Sequence, residues 1–301
     1  PVTQPDQAAV WGLGRVAGLE HPDLWGGLVD LPERLDAVAA RAMVEALAAG
    51  DGEDQVAVRI GRRLVRRLVR APEPAGEATT WAPSGTAVVT GGTGALGAHV
   101  ARWLAANGPE HLVLVSRRGA DAPEADRLRA DLAAAGAEVT FLRADVADRS
   151  ALAAALDTLA TPDAPVGPPV RVVVHAAGVG EDRLLADLDP PGLASAAAAK
   201  AGGARHLHEL AEQRWPALER FVVFSSGAAV WGGSAQAAYA AANASVDALV
   251  EQRRAAGRPA TSVAWGPWSG SGMAEGATGE QLRRLGVRDM DPDRATRALV
   301  E

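Results

Sequence analysis

The fold of this chain is decided by one stretch, Thr86-Ala87-Val88-Val89-Thr90-Gly91-Gly92-Thr93-Gly94-Ala95-Leu96-Gly97. Its first five residues have the continuous apolar character of a short buried strand. The segment Gly92–Gly97 fits the pattern G-x-G-x-x-G, and a helix is predicted to follow as far as about Asn107. Glycines in such a loop permit a tight turn and a close backbone approach, so a pyrophosphate can rest on amides at the helix N-terminus. The stretch predicts nucleotide binding; the alternative is a structural turn in a glycine-rich protein.

Strands and helices alternate on the C-terminal side of this loop. Strands are predicted at 86–90, 111–116, 138–142, 170–174, 221–224 and 261–264. Helices are predicted from the end of the glycine loop to about 107 and at 123–135, 150–159, 193–213 and 235–256. Val-rich strands that alternate with helices are typical of a parallel sheet covered on both faces. The predicted fold class is α/β, with a Rossmann-type doubly wound parallel sheet and no internal repeat.

Residues 1–70 predict a smaller α/β unit, with strands at 28–31 and 55–60 and a helix at 35–49. The run from Arg62 to Arg70 repeats every four residues and fits neither a strand nor a helix. It is interpreted as a solvated arginine face, with a phosphate-binding face as the alternative. The proline-containing stretch 71–83 predicts a linker. The expected organisation is therefore a subdomain and linker over 1–80 and a second subdomain over 81–301.

Composition limits the possible partners. Acidic residues outnumber basic ones by 37 to 30, for a formal charge of −7, and no lysine-rich run is present, so nucleic acid is not an expected partner. Cysteine is absent, which fits a reducing compartment. No apolar run approaches the roughly 20 residues that span a bilayer. We expect a soluble cytoplasmic protein with no membrane association and no metal site.

The ends of the later strands predict which cofactor binds. NAD-binding folds place an acidic residue after the second strand, but Ser116-Arg117-Arg118 stand there in this chain. Two arginines attract a 2′-phosphate and can bind it bidentately, which favours NADPH over NADH. Asp145-Val146, after the third strand, are expected beside the adenine, and Ala176-Ala177-Gly178, after the fourth, on the nicotinamide side.

A catalytic group is suggested by rare residues. Tyr239 is the only tyrosine and Lys200 the only lysine of a chain whose other basic residues, histidine aside, are arginines. Tyr239 follows Ser226 by 13 residues, and Asn243 lies one turn beyond Tyr239 on the same helix face. Ser226 ends the fifth strand, where a parallel sheet collects its ligand sites. Ser225 is the less favoured serine, because neighbouring residues of a strand point in opposite directions.

These motifs resemble the short-chain dehydrogenase/reductases, and specifically the ketoreductase domains of modular type I polyketide synthases. In that family the lysine of Tyr-x-x-x-Lys is replaced by asparagine, which matches Asn243, and the lysine comes from the preceding helix, which matches Lys200. The segments Trp11–Arg15, Trp25–Asp30 and Gly61–Val65 resemble the family's structural subdomain, a truncated Rossmann-like unit that binds no cofactor. Family members have more residues before Pro1 and usually after Glu301, so both ends are expected to be incomplete.

The resemblance implies a role for each residue. Tyr239 would act as general acid, and the Lys200 ammonium would lower the tyrosine pKa and hold the nicotinamide ribose. Ser226 would orient the substrate carbonyl, and Asn243 would position a water or backbone group for proton resupply. Pro267 belongs to a loop over the nicotinamide, and Met273 to a lid over the substrate. The implied substrate is a β-ketoacyl chain on an acyl carrier protein, within a multifunctional enzyme of antibiotic biosynthesis that carries other synthase domains.

Stereochemical markers of the family point mostly in one direction. Trp231, eight residues before Tyr239, marks the A-type, which gives an L-hydroxyl group. Gln236 stands where histidine would mark an epimerised α-substituent. The Leu-Asp-Asp motif of the opposite type reads Gly180-Glu181-Asp182, so only its last residue is kept. Two alternatives remain open: a free-standing reductase of small ketones, and a redox-silent structural or epimerising module.

Overall fold

The N-terminal unit contains two helices and a small three-stranded sheet. The computed structural model describes residues 4–71, 81–160, 168–180, 182–270, 277–284 and 286–299. The unit contains α1 (Ala8–Glu20), β1 (Leu28–Asp30), α2 (Ala37–Ala48), β2 (Gln55–Arg59) and β3 (Arg62–Val65). Strand β2 pairs in parallel with β1 and antiparallel with β3. Helix α2 begins at a capping Asp36, whose side chain accepts from the Ala39 amide at 2.8 Å.

The prediction that the arginine run starting at Arg62 fits no regular element was wrong for its first four residues. They form β3 because Ile60 and Gly61, both with positive φ, make a two-residue hairpin turn that returns the chain along β2. Arg63 and Arg67 form ion pairs with Asp51 and Glu53. These contacts support the interpretation of the run as a solvated face.

The C-terminal part is built around a six-stranded parallel sheet. Its strands are β4 (Thr86–Thr90), β5 (His111–Ser116), β6 (Glu138–Arg143), β7 (Val170–His175), β8 (Arg220–Ser226) and β9 (Thr261–Trp265). They lie in the order β6-β5-β4-β7-β8-β9 and every neighbouring pair is parallel. The order reverses at β4, so the edge beyond the strand C-termini holds a crevice between β4 and β7, where doubly wound folds bind ligands. The predicted fold class is confirmed.

Helices cover both faces of this sheet. They are α3 (Ala95–Asn107), α4 (Ala125–Ala134), α5 (Arg149–Asp157), α6 (Pro190–Ala197), α7 (Gly203–Arg214), α8 (Gly227–Trp231), α9 (Ala237–Ala255), α10 (Ala277–Arg284) and α11 (Pro292–Arg297). The helix predicted over 193–213 is in fact α6 and α7 joined by a π-helical turn, Ala198–Gly202. Strand β4 is buried throughout: Ala87 and Val89 pack into one apolar cluster and Val88 into the other. No helix in the described ranges is long and apolar enough to cross a membrane.

Helix α1 packs directly on α9, which carries Tyr239. Gly12 makes this approach possible, because a Cβ there would lie 2.3 Å from the carbonyl oxygen of Ala240. Val16 of α1 is fully buried and shares an apolar cluster with Ala237 and Ala240, against which Tyr239 also packs. The N-terminal unit therefore packs against the helix that carries the predicted catalytic tyrosine.

Candidate active site

The glycine loop between β4 and α3 forms a cradle that fits a dinucleotide. Gly91 has a φ of +69°, and a Cβ on Gly97 would lie 2.1 Å from the Gly91 carbonyl oxygen, so no larger residue fits that turn. Gly94 caps α3 with no side-chain hydrogen bond, which leaves the first helical amides open to a pyrophosphate. Thr93, Ala95 and Leu96 lie in the same turn. The cradle therefore fits the nucleotide binding that the sequence predicted.

The predicted 2′-phosphate site lies at the end of β5. Arg117 and Arg118 are both exposed there, and neither side chain forms a hydrogen bond or ion pair with any residue that the structure describes. Ser116 instead supports the turn, because its Oγ accepts from the Gly119 amide at 3.0 Å. Two guanidinium groups on one exposed rim fit a phosphate that has two negative charges.

The two residues predicted beside the adenine differ in exposure. Asp145 is exposed, and its carboxylate accepts from the Ala147 amide at 3.0 Å. Val146 is only 5% exposed and packs in the core against Gly203. Asp145 is therefore the exposed member of the pair, and the placement of both residues beside the adenine stays a prediction.

Lys200 lies against the loop that follows β7. The lysine is 5% exposed, and its Nζ donates to the carbonyl oxygen of Phe224 at 3.0 Å. A Cβ on Gly178 would lie 3.0 Å from this Nζ, so the glycine makes room for the lysine. Ala177 lies against Gly91 on the other side of the crevice, and Ala176, half-buried, donates to the carbonyl oxygen of Thr90. The lysine pKa is lowered to about 8 because burial disfavours the charge, an effect that Asp247 partly offsets.

His175 was missed by the sequence analysis. This fully buried residue ends β7, with Nε2 2.9 Å from the Lys200 carbonyl oxygen and Nδ1 2.7 Å from the Thr90 hydroxyl. Because a carbonyl only accepts, Nε2 carries the proton and Nδ1 accepts from Thr90. Burial and the nearby lysine charge lower the histidine pKa to about 3, so the ring is neutral. It anchors the π-helical turn that carries Lys200. A histidine that follows a buried strand would have been the only sequence signal.

Tyr239, Ser226 and Asn243 come together at the start of α9. Burial raises the pKa of Tyr239, hydrogen bonding with the Ser226 and Asn243 side chains lowers it, and the negative charge of Asp182 raises it. The net shift is upward because the phenol is mostly buried. The Lys200 ammonium donates to the Phe224 carbonyl oxygen, and its effect on the tyrosine pKa stays a prediction.

Asn243 is itself fully buried and supports α9. Its Nδ2 donates to the Tyr239 carbonyl oxygen at 2.8 Å, one helical turn back. Its Oδ1 is buried and accepts no hydrogen bond from the described residues. The effect of Asn243 on the Tyr239 pKa comes from the donor Nδ2, because only a donor stabilises a phenolate. A buried acceptor left open in this way fits a water or ligand hydrogen atom.

The two serines at the end of β8 have different surroundings. Ser226 is partly exposed, and its Oγ accepts from the Ala228 amide at 3.2 Å to cap α8. Ser225 is buried, and its Oγ donates to the Asn243 carbonyl oxygen at 3.4 Å. The alternation along the strand therefore separates them as predicted, with Ser226 on the side of the tyrosine.

The predicted substrate-orienting residues Trp231 and Gln236, and Pro267 of the predicted nicotinamide loop, lie near the ends of β8 and β9 or before α9. Trp231 is 54% exposed, and its ring folds over Gly227, where a Cβ would lie 2.3 Å from the indole. Gln236 caps α9, and a Cβ on Gly233 would lie 2.4 Å from its Oε1. Pro267 lies after β9, and its carbonyl oxygen accepts from the Met290 amide at 2.7 Å. Met273 lies outside the described residues.

The fold, the glycine cradle and the group around Tyr239 together define a nicotinamide-dependent oxidoreductase of the short-chain dehydrogenase/reductase class. The chain belongs to the KR domain family, whose model matches residues 85–270. Residues 1–68 match a second model, described as the Rossmann fold domain of the polyketide synthase extender module SpnB. The chain is therefore a ketoreductase domain of a modular polyketide synthase, a kind of oxidoreductase that reduces β-ketoacyl intermediates. The family predicted from the sequence is confirmed.

Individual relatives agree with this assignment. The chain is 56% identical over 295 residues to erythronolide synthase EryA3 of Saccharopolyspora erythraea, covering 98% of this chain and 9% of that protein. It is 49% identical over 298 residues to the pikromycin polyketide synthase component PikAIII of Streptomyces venezuelae, covering 99% of this chain and 19% of that protein. A solved A-type ketoreductase from a modular polyketide synthase superimposes with a TM-score of 0.91 at 50% identity, covering 98% of this chain and 62% of that one. The chain thus spans less than a fifth of either curated relative.

Proposed function

We propose that this chain uses NADPH to reduce the β-ketone of an acyl thioester, tethered to an acyl carrier protein, to the L-β-hydroxyacyl thioester. The observation that carries the proposal is the hydrogen bonding between Tyr239 and Ser226 at the end of β8, where the buried Lys200 donates to the carbonyl oxygen of Phe224 on the same strand. A bound nicotinamide cofactor would supply the hydride. The remaining requirements are a proton donor and a stabilised oxygen, and the chain's own side chains meet both.

Tyr239 is the proposed proton donor. Because its pKa is raised, the phenol is fully protonated at neutral pH and has a proton to give. The Ser226 hydroxyl, which hydrogen-bonds the phenol, would orient the carbonyl oxygen beside it. Lys200 would hold positive charge near the site as the phenolate forms, and the open Oδ1 of Asn243 would position the water that restores the proton.

NADPH rather than NADH is favoured by the exposed Arg117 and Arg118, whose side chains have no hydrogen-bond or ion-pair partner among the described residues. A carrier-tethered substrate is supported by the relatives, which are polyketide synthases several times longer than this chain, against a free-standing reductase. We likewise propose the division into residues 1–80 and 81–301. The cytoplasmic location remains a prediction.

The L configuration rests on Trp231, the last residue of α8, and on Gln236, which caps α9. The solved A-type and A1-type ketoreductases, at TM-scores of 0.91, support this subtype. Asp182 is near enough for its charge to raise the pKa of Tyr239, so the one kept residue of the opposite motif is part of the site's electrostatics.

The test is turnover of a racemic α-methyl-β-ketoacyl thioester with NADPH, followed by chiral chromatography of the alcohol. We expect NADPH oxidation in step with formation of the L-hydroxy product, its α-methyl group unepimerised, and loss of both with Tyr239→Phe. Absence of oxidation with the native protein would contradict the reductase and point to the redox-silent alternative. A D-hydroxy product would contradict the configuration alone.

A further inference from the structure

A single carboxylate of the N-terminal unit joins two loops of the catalytic part. Glu20 is the last residue of α1, and its Oε2 accepts from the backbone amide of Leu185 at 2.6 Å. Its Oε1 accepts from the backbone amide of Ala235 at 2.5 Å. Both oxygens of one side chain are therefore used, and the two amides belong to segments that are far apart in sequence.

These two segments are the ones that contain the stereochemical markers. Leu185 begins a short 3₁₀ turn three residues after Asp182. Ala235 immediately precedes Gln236 and lies four residues before Tyr239. The segments run side by side, with a parallel bridge between Arg183 and Gln236. Glu20 thus holds the two loops together where they approach the proposed proton donor.

The loop before α9 depends on this support. Ala235 has a φ of +63°, a left-handed conformation that residues with a Cβ rarely adopt, so a tertiary contact is needed to hold it. Gly232, with a φ of +81°, presses against α1, since a Cβ there would lie 2.9 Å from Leu19 Cδ1. Arg15 of the same helix donates to the carbonyl oxygen of Ala229. Contacts from the end of α1 therefore fix the conformation of residues 229–235, the segment that contains Trp231.

We propose that Glu20 is a positioning residue that sets the product configuration, because its carboxylate fixes the spacing of the two loops between which the tethered chain must lie. This inference rests on the proposed reductase function. The site requires a carboxylate because both partners are N–H donors: glutamine keeps one acceptor and turns an N–H₂ donor toward the other amide. Glu20 reaches no reacting atom and acts only through the loops.

The first experiment compares product configuration in the whole 301-residue chain. Glu20→Gln and Glu20→Ala are assayed with the racemic thioester and NADPH, beside Glu45→Gln as control. Glu45 is an exposed residue of α2 in the same unit, paired with Arg41 one turn away. We expect the ratio of the favoured to the disfavoured alcohol to fall at least tenfold in Glu20→Ala, with the Michaelis constant for NADPH changed less than twofold. A ratio equal to that of the control would overturn the proposal.

The second experiment does not depend on turnover. Amide hydrogen exchange of Leu185 and Ala235 is followed by NMR in the same three variants. We expect both amides to lose at least tenfold protection in Glu20→Ala, one of them in Glu20→Gln, and neither in Glu45→Gln. If the native protein reduces no thioester, the proposed function fails, and the exchange data still decide whether Glu20 joins the loops. Unchanged protection in Glu20→Ala would refute that contact.

Discussion

Lys200→Met should abolish reduction and also remove a specific pH dependence of stability. The native lysine is buried as a cation, with its pKa lowered from 10.5 to about 8. Between these two values the unfolded chain binds more protons than the folded protein, so stability rises with pH. Below about pH 8 the lysine is protonated in both the folded and the unfolded state, so the free-energy cost of burying its charge does not change with pH. Methionine is close to lysine in length and carries no charge. The variant therefore lacks both the cost of burying a charge and the gain in stability as pH rises.

The expected size of this stability change follows from the shift in the Lys200 pKa. Integrating the difference in proton binding gives the native protein a gain of about 2.5 kcal/mol between pH 7 and pH 10 that the variant lacks. The loss of the hydrogen bond to Phe224, about 1 kcal/mol, does not depend on pH over this range. Lys200 is the only lysine, so no other lysine contributes. Tyr239, the only tyrosine, is present in both proteins, and its contribution cancels in the comparison.

The assay is urea unfolding of both proteins at several pH values from 7 to 10. We expect the difference in unfolding free energy between them to move by about 2.5 kcal/mol in favour of the native protein as pH rises. A difference that stays constant across this range would refute the reasoning, because it would mean that the lysine is not buried as a cation. In the activity assay, the native turnover should fall as pH rises through about 8.

Three further predictions concern the cofactor, the product and acid stability. Arg117→Ser with Arg118→Ser should raise the Michaelis constant for NADPH about tenfold or more and leave that for NADH unchanged, measured beside the exposed Arg127→Ser as control; equal losses for both cofactors would assign the pair a purely structural role. Gln236→His should lower the preference for the unepimerised α-methyl alcohol without abolishing turnover, and chiral chromatography that finds an identical product mixture would contradict this. The His175 pKa is lowered to about 3, so the free energy of unfolding should fall by about 1.4 kcal/mol for each pH unit below 6.5, because the unfolded chain takes up the proton first. His175→Gln should flatten that acid slope in urea unfolding, and an unchanged slope would show that other groups cause it.

The sequence was sufficient to predict the features that depend on short-range order along the chain. The glycine loop and the strand–helix alternation predicted the sheet, because a buried parallel strand and its following turn are both short-range patterns. The positions of Ser226 and Tyr239 followed from the same rule about strand ends. Lys200 was identified because it is the only lysine of the chain.

The remaining features depend on contacts that no local pattern encodes. The π-helical turn at Lys200 depends on a histidine that ends β7, 25 residues earlier. The raised pKa of Tyr239 is mainly an effect of burial, which residue type alone does not reveal. Glu20 is separated from its two partners by 165 and 215 residues, and a glutamate at a helix end is otherwise unremarkable.

The N-terminal unit also changes how the site should be understood. It supplies no proposed catalytic residue, yet α1 lies against α9 so closely that Gly12 meets the backbone of Ala240. Movement of α1 would therefore displace the helix that begins two residues before Tyr239, as well as the loops held by Glu20. Hydride transfer tolerates little change in geometry, so a unit that fixes this helix affects both the rate and the stereochemistry. A substitution in α1 that weakens this packing should therefore act on the product ratio before it acts on cofactor binding, since the glycine cradle lies between β4 and α3, away from α1.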